Sequence, residues 1–226
     1  EISECLVGSE MCIRDSEHTI QALTQQAKEA IRQSPELSAL AALSTTEISD
    51  AMQGENGMDS SIRPIDPASR LIGPAVTIQL PAGDSLLTGE AVGQAKPGDI
   101  LVINTGGSES SAVWGDVKTI RAIKQGIGGL VTDGAIRDIT SIRALGFPVF
   151  SKHVIPKASK HQGGGEVNVP ILCAGVTVCP GDIVFGDENG VVVIPAQKLS
   201  EVIQKANEKK AQDEAKIKRI LAGSDQ

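Results

Sequence analysis

Six residues, Asp133-Gly134-Ala135-Ile136-Arg137-Asp138, form the densest polar cluster at an element boundary in this 226-residue chain. They follow an apolar run that reads as strand and open a segment that reads as helix. In α/β sheets, ligands bind beyond the C-terminal ends of strands. Free N–H groups and the dipole at a helix start favour anions. Arg137 adds a planar fork matched to a carboxylate, and Asp138 puts a carboxylate beside it. A helix cap with a surface ion pair would use the same residues, since Asp is a common capping residue. The preceding unit repeats the geometry. Ile100–Asn104 leads through a Gly-rich loop to Trp114-Gly115-Asp116, near the start of another helix, so Asp116 can lie close to Asp138 across adjacent strand ends. Two or three carboxylates near an Arg and free amides suit a hard divalent cation with oxygen ligands, Mg²⁺ or Mn²⁺. The plainer account of Asp116 is an acid favoured by the helix macrodipole.

Other chemistry finds less support. His18, His153 and His161 are scattered and form no H-x-H or H-E-x-x-H, which disfavours zinc or iron. Gly163-Gly164-Gly165 reads as a flexible loop without the Lys-Ser/Thr of a P-loop. No G-x-G-x-x-G follows a strand, and no G-x-S-x-G marks a hydrolase elbow. Lys152 and Lys157 are candidates for lining a pocket, but solvated lysines are the preferred account of them.

The elements that must position these residues alternate. Residues 17–34 carry Ile20, Leu23, Ala27, Ala30 and Ile31 at helical spacing, and Pro35 is read as the stop. A short helix begins at Thr45 or Thr46 with Ile48 and Met52 inward, and Gly54 and Gly57 end it. The middle then reads as strand 75–80, helix 85–94, strand 100–104, helix 112–125, strand 129–132, an Asp133-Gly134 turn, helix 138–145 and strand 148–150. This alternation predicts a layered α/β arrangement with parallel pairs. From Val167 to Ile194 short β runs follow one another, with a hairpin signal at Asp187-Glu188-Asn189-Gly190. PGDI occurs at 97–100 and 180–183 and each time launches an apolar strand, as expected of a reused turn. The last helix, 196–222, has a narrow apolar stripe of Leu199, Val202, Ile203 and Ala206. Its end past Lys209 is too polar to pack fully on its own domain, which points to a neighbouring subunit.

Composition bounds the partners. The chain carries a net charge of −7, with 40% hydrophobic residues and only 2% aromatics. Nucleic-acid binders need stacking platforms or a basic patch, so no nucleic acid is expected. No run of about 18 apolar residues exists and no basic-then-apolar leader is seen, so neither a membrane span nor a secretory signal is expected. Cys5, Cys12, Cys173 and Cys179 form no C-x-x-C and read as reduced thiols of a cytoplasmic protein. Residues 1–16 have no helical or strand period. With four acids and one base they hold −3 of the charge. They read as a non-native or disordered tail ahead of a single domain over 17–226.

Asp116, twenty intervening residues and Arg137-Asp138 match the D-x20-R-D motif of metal-dependent pyruvate aldolases. The chain resembles the 4-hydroxy-4-methyl-2-oxoglutarate/4-carboxy-4-hydroxy-2-oxoadipate aldolases of the RraA-like superfamily. The likeness extends through Gly73–Thr77, Pro97–Ile103, Gly129–Asp138, Gly146–Phe150, Val167–Pro170 and Pro180–Pro195, and covers roughly residues 35–223. It implies an α/β fold with a swivelling β/β/α core, as in phosphohistidine domains, with N-terminal helices and a long C-terminal helix. It also implies trimers or hexamers with active sites between subunits. On the matching positions, Asp138 resembles the direct Mg²⁺ ligand (Mn²⁺ or another divalent cation being alternatives), and Asp116 the acid that reaches the metal through water. Arg137 resembles the residue that binds the keto-carboxylate end of a small 2-keto acid. Gly115 and the amides of Val117 and Lys118 resemble the loop that receives the pyruvyl carboxylate. Glu214 looks closest to a catalytic acid supplied by a neighbouring chain, with Glu208 and Asp213 as alternatives.

The implied activity is that of a class II lyase. It cleaves 4-hydroxy-2-keto diacids to pyruvate and a keto acid through a metal-stabilised pyruvate enolate, with oxaloacetate decarboxylation by the same route. The rival reading is a non-catalytic regulator of the superfamily's namesake type, which binds and inhibits ribonuclease E. A phosphohistidine carrier would need His161, the one His before a Gly-rich loop.

Overall fold

Pro35 starts a helix rather than stopping one. In the computed structural model, which describes residue 29 and residues 31–223, it is the first residue of α1 (Pro35–Leu40), and Ser34 Oγ accepts from the Leu37 amide. Proline lacks the N–H that a helix start leaves unbonded and has its φ pre-set for the first turn. The tail 1–16, His18 and almost all of the helix read over 17–34 lie outside the described residues. Helix α2 (Thr45–Ala51) opens on a capping box. The Ser44 amide donates to Glu47 Oε2 at 2.7 Å, and the Glu47 amide donates to Ser44 Oγ at 3.3 Å.

Next come β1 (Arg63–Pro64), β2 (Leu71–Gln79), α3 (Thr88–Gln94), β3 (Ile100–Asn104), β4 (Ala112–Trp114), α4 (Asp116–Gln125), β5 (Gly129–Ile136), α5 (Ile139–Ala144) and β6 (Val149–Val154). They are followed by β7 (Glu166–Val167), β8 (Ile171–Cys173), β9 (Val176–Val178), β10 (Ile183–Asp187), β11 (Gly190–Ile194), a 3₁₀ turn (Ala196–Lys198) and α6 (Leu199–Leu221). Among the described residues nine strands make one sheet, in the path β1-β6-β5-β3-β2-β10-β11 with β4 on β5 and β7 on β2. Strands β2, β3, β5 and β6 run parallel, while β10 and β11 return antiparallel. Arg63 Nη1 donates to the Asn189 carbonyl at 3.2 Å, so the two ends of the sheet approach each other.

Three apolar clusters hold the layers. Ala122 and Ile123 of α4, Ile142 of α5 and Ala91 of α3 pack with Leu101, Ile103, Leu130 and Ile136 on one sheet face. The hairpin β8–β9 covers the other face through Ile171, Cys173, Val176 and Val178. Hairpin, sheet and helices are thus stacked in the β/β/α order that the resemblance implies. The third cluster joins Leu40, Ile48, Leu199, Val202 and Ala206 to Phe185 and Ile194, so the N-terminal helices and α6 clasp β10–β11. Asp187, where the hairpin was expected, accepts from Thr45 N, Thr45 Oγ1 and Asn189 N.

Strand β2 starts four residues before the expected 75 and α3 three residues after the expected 85, and further boundaries move as well. Ala112–Trp114 is strand, not helix, because it pairs with β5 and its residues are buried. Asp133-Gly134 is not a turn, and β5 runs through to Ile136. The Asp133 carboxylate is satisfied from outside the strand by Thr105 N (2.7 Å), Thr105 Oγ1 (3.1 Å) and Gly107 N (2.9 Å). A side chain at Gly134 would meet Thr105 Oγ1 at 2.7 Å. Strand β6 extends to Val154. The PGDI pair is a reused turn: Asp99 Oδ2 accepts from Lys96 N and Asp182 Oδ2 from Cys179 N, each three residues back. Gly98 and Gly181 take φ of 89° and 85°, which favours glycine. Among the described residues no helix is long and apolar enough to cross a membrane.

Candidate functional site

Strands β4 and β5 are parallel neighbours, and the Arg137 amide donates to the Trp114 carbonyl at 3.0 Å. Their C-terminal ends therefore finish side by side, with Gly115-Asp116 after one and Arg137-Asp138 after the other. The corner is braced by buried contacts. Trp114 is fully buried, its Nε1 donates to Thr119 Oγ1 at 2.8 Å, and that hydroxyl donates to the Gly115 carbonyl at 3.0 Å. Its ring stacks on Phe147 with centroids 6.5 Å apart.

Asp138 has φ 57° and ψ 34°, a left-handed conformation unusual for a residue with a side chain. Its side chain makes no capping bond to α5. Instead Oδ2 lies 3.2 Å from Arg137 Nε and 3.4 Å from the Asp116 amide, so the simple helix cap is set aside. Backbone strain of this kind clusters where a side chain must be aimed. Gly115 has extended backbone, and its requirement is spatial. A Cβ there would stand 2.6 Å from Asp138 Oδ2 and 3.2 Å from Arg137 Cγ. Asp116 Oδ1 accepts from the Val117 amide at 2.7 Å, the same amide that the resemblance assigns to substrate.

These residues line one open cavity of about 230 Å³, together with Ser85, Ala112, Val113, Arg121, Ala158, Ser159 and His161. Gly115, Asp116, Val117, Lys118, Arg137 and Asp138 are thus brought together. Glu208, Asp213 and Glu214 are not: all three lie on α6, outside the cavity lining. Beyond Lys210 that helix is almost entirely exposed, including Ile217, Ile220 and Leu221, as its composition led us to expect. Among the described residues no three His, Cys, Asp or Glu side chains gather as a metal-binding group. The donor set of one approachable carboxylate with a second beside it fits Mg²⁺, which keeps several waters and takes one or two carboxylates plus substrate oxygens. It does not fit a zinc site of N and S ligands.

The Lys118 side chain, unlike its amide, gave no signal in the sequence, and neither did Ser85 or Ser159. Lys118 Nζ donates to the Val113 carbonyl (2.8 Å) and the Ser85 carbonyl (3.3 Å). Burial lowers its pKa to about 8; Asp84 opposes the shift, and Arg137 and Arg121 add to it. Ser159 and Ser85 share a 2.6 Å hydroxyl contact, which fastens the 157–165 segment to the cavity wall. The triple-glycine stretch is tethered as well. Asp84 accepts from the Gly163 amide, and a Cβ at Gly165 would collide with the Gln79 carbonyl. The Gly-rich loop 105–111 does not line this cavity; Gly106 and Gly107 face a separate depression with Asp59, Ser61 and Lys152. Lys157 contributes its carbonyl to the Ala112 amide. His153 Nε2 stands 3.2 Å from Glu109 Oε1. Cys173 is buried and Cys179 exposed, and both are free thiols.

The family model described as Aldolase/RraA, of the RraA-like group, matches residues 45–193. A Halalkalibacterium halodurans protein that carries the provisional name 4-hydroxy-4-methyl-2-oxoglutarate aldolase is 44% identical over 176 residues, 78% of this chain and 84% of that one. A Pseudomonas syringae pathovar tomato crystal structure, described as an uncharacterized protein, aligns with TM-score 0.75 and 31% identity over 84% of this chain and 94% of that one. The RNA-processing inhibitor RraA of Thermus thermophilis aligns with TM-score 0.62 and 29% identity over 67% and 92%.

Proposed function

The chain belongs to the RraA-like family, and from that premise we propose that it is a divalent-metal-dependent lyase. Its substrates are 4-hydroxy-2-keto diacids of the 4-hydroxy-4-methyl-2-oxoglutarate type, which it cleaves to pyruvate and a keto acid, and it decarboxylates oxaloacetate at the same site. The observation that carries this reading is the meeting of Asp116, Arg137 and Asp138 at the paired ends of β4 and β5.

Asp138 would hold the cation directly and Asp116 would hold it through water. The cation would supply Lewis-acid polarisation of the keto oxygen. The first amides of α4, at Val117 and Lys118, have no helical acceptor and suit the pyruvyl carboxylate once it displaces Asp116 Oδ1 from Val117. Arg137, anchored through Nε to Asp138, keeps its terminal N–H groups for the keto oxygen, where negative charge develops. In the aldol cleavage the C3–C4 bond breaks and its electron pair passes toward the C2 carbonyl. The 4-hydroxyl proton leaves to a base, a role that the Asp116 carboxylate would take. C3 then takes a proton to give pyruvate. With oxaloacetate the departing group is CO₂ and the same charge appears on the same oxygen. Glu214, or Glu208 or Asp213, would arrive on α6 of a neighbouring copy in a trimer or hexamer.

Purified protein given oxaloacetate or 4-hydroxy-4-methyl-2-oxoglutarate with Mg²⁺ should release pyruvate, and EDTA should stop it. The likeness to the Thermus inhibitor favours a second reading, a regulator that binds and inhibits ribonuclease E. No pyruvate release from either acid, together with inhibition of ribonuclease E, would support that reading instead.

A further inference from the structure

The cavity has two poles. One is the corner already described, where Gly115, Asp116, Arg137 and Asp138 meet. The other is formed where the Lys118 side chain turns back from α4. Its Nζ is held on the carbonyls of Val113 and Ser85, and Ser85 Oγ touches Ser159 Oγ on the facing segment. An ammonium has three N–H groups. Two are taken by these carbonyls, and one is left for a ligand. Arg121 stands three residues further along α4, on the same helix face as Lys118, and also lines the cavity. Charged lining groups are then Lys118, Arg121 and Arg137 against Asp116 and Asp138, with His161 also in the lining. A divalent cation at Asp138 would make the excess of positive charge larger. The cavity, at about 230 Å³, falls below the ~300–1,000 Å³ of sites for drug-sized ligands. A small ligand with an anionic group at each end answers both the charge and the size.

We propose that the side chains of Lys118 and Arg121 form a second anion subsite that binds the distal carboxylate of a keto diacid and so select diacids over monoacids. This rests on the lyase reading for the first pole, where the keto-carboxylate end is held. Nothing in the motif that identifies the family requires a cation at position 118. The backbone amide of Lys118 and its side chain thus serve opposite ends of one ligand, the side chain setting which acids fit.

The test is calorimetric binding, with Mg²⁺ present, of 2-oxoglutarate and of 2-oxopentanoate. The two share one carbon chain and differ in whether it ends in a carboxylate or a methyl group. The wild type should bind the diacid at least tenfold tighter. In K118M, and in R121M with K118M, that ratio should fall toward one, a loss of roughly ten- to a hundredfold, as expected for a charge-assisted contact. R121M alone changes an exposed side chain, so the fold is kept, and it should lower the ratio by a smaller factor. Equal binding of the two acids by the wild type, or a ratio that survives in the double variant, overturns the subsite. Pyruvate release from oxaloacetate by the wild type is read alongside. A correct ratio without release keeps the subsite and sinks the lyase reading, and release with a ratio of one does the reverse.

Discussion

Replacing Gly115 with alanine should damage the site while leaving the fold nearly intact. The backbone there is extended, with φ −163°, so an alanine is conformationally acceptable. The new Cβ would stand 2.6 Å from Asp138 Oδ2 and 3.2 to 3.3 Å from Arg137 Cγ and Nε. Comfortable heavy-atom contact is about 3.5 Å, so the carboxylate must retreat by roughly 0.9 Å. Asp138 can do so at small cost, its side chain being 33% exposed. Loss of a glycine N-cap in favour of alanine adds about 0.5–1 kcal/mol. The melting temperature should therefore fall by only a few degrees, at ~2–4 °C per kcal/mol for a chain of this size. Catalysis should suffer more. A displacement near 1 Å costs on the order of 10²-fold, or about 2.7 kcal/mol of transition-state stabilisation. Steady-state pyruvate release from oxaloacetate, followed beside a thermal melt, reads both quantities. A variant with kcat/KM within threefold of wild type would refute the claim that the placement of Asp138 against Arg137 matters.

Other changes test the frame that holds the site. Asp187→Asn should cost ~2 kcal/mol, because an NH₂ group then faces donors that now meet a carboxylate. Burial raises the pKa of Asp187, but the bonds from Thr45 and Asn189 outweigh it and hold the value below normal. Its contribution is thus full above the ordinary carboxylate range and lost as pH falls through the lowered value. Melts from pH 7 to pH 2 should be flatter in the variant, and parallel curves would contradict this. Gly73→Ala puts a Cβ onto the Gly98 carbonyl, where backbone faces backbone. The loss should reach or pass the ~3 kcal/mol upper end of ordinary overpacking. A urea midpoint close to that of wild type would show that the β2–turn contact is softer than drawn.

The convergence of Asp116, Arg137 and Asp138 was more legible in the sequence than the element boundaries around them. Asp116, Arg137 and Asp138 could be read because each follows an apolar run and precedes a helical one, and parallel strand ends converge by topology. The Asp133-Gly134 pair misled because turn chemistry is local. The Thr105 and Gly107 groups that satisfy Asp133 are 26 to 28 residues away. Ala112–Trp114 looked helical for the same reason, since only pairing with β5 makes it strand. Pro35 has two meanings, a stop or a first position, and Ser34 just before it was the cue for the second. The Lys118 side chain, as distinct from its amide, stayed hidden because its bonds to the Val113 and Ser85 carbonyls depend on where a long side chain folds back. That the far end of α6 does not pack fully on its own domain was legible in its charge, since the buried stripe ends at Ala206 and Ile217, Ile220 and Leu221 beyond it stay exposed.

The central claim is that Asp138 anchors a divalent cation on which carbon–carbon cleavage depends. The most direct measurement is the rate of pyruvate release from oxaloacetate as Mg²⁺ is titrated, in wild type and in Asp138→Ala. Saturable activation by Mg²⁺ is expected in the wild type and a loss of at least ~10²-fold in the variant, the scale of removing one electrostatic stabiliser of the developing charge. Release that is indifferent to Mg²⁺, or an Asp138→Ala variant with the wild-type rate and the same Mg²⁺ dependence, would contradict it.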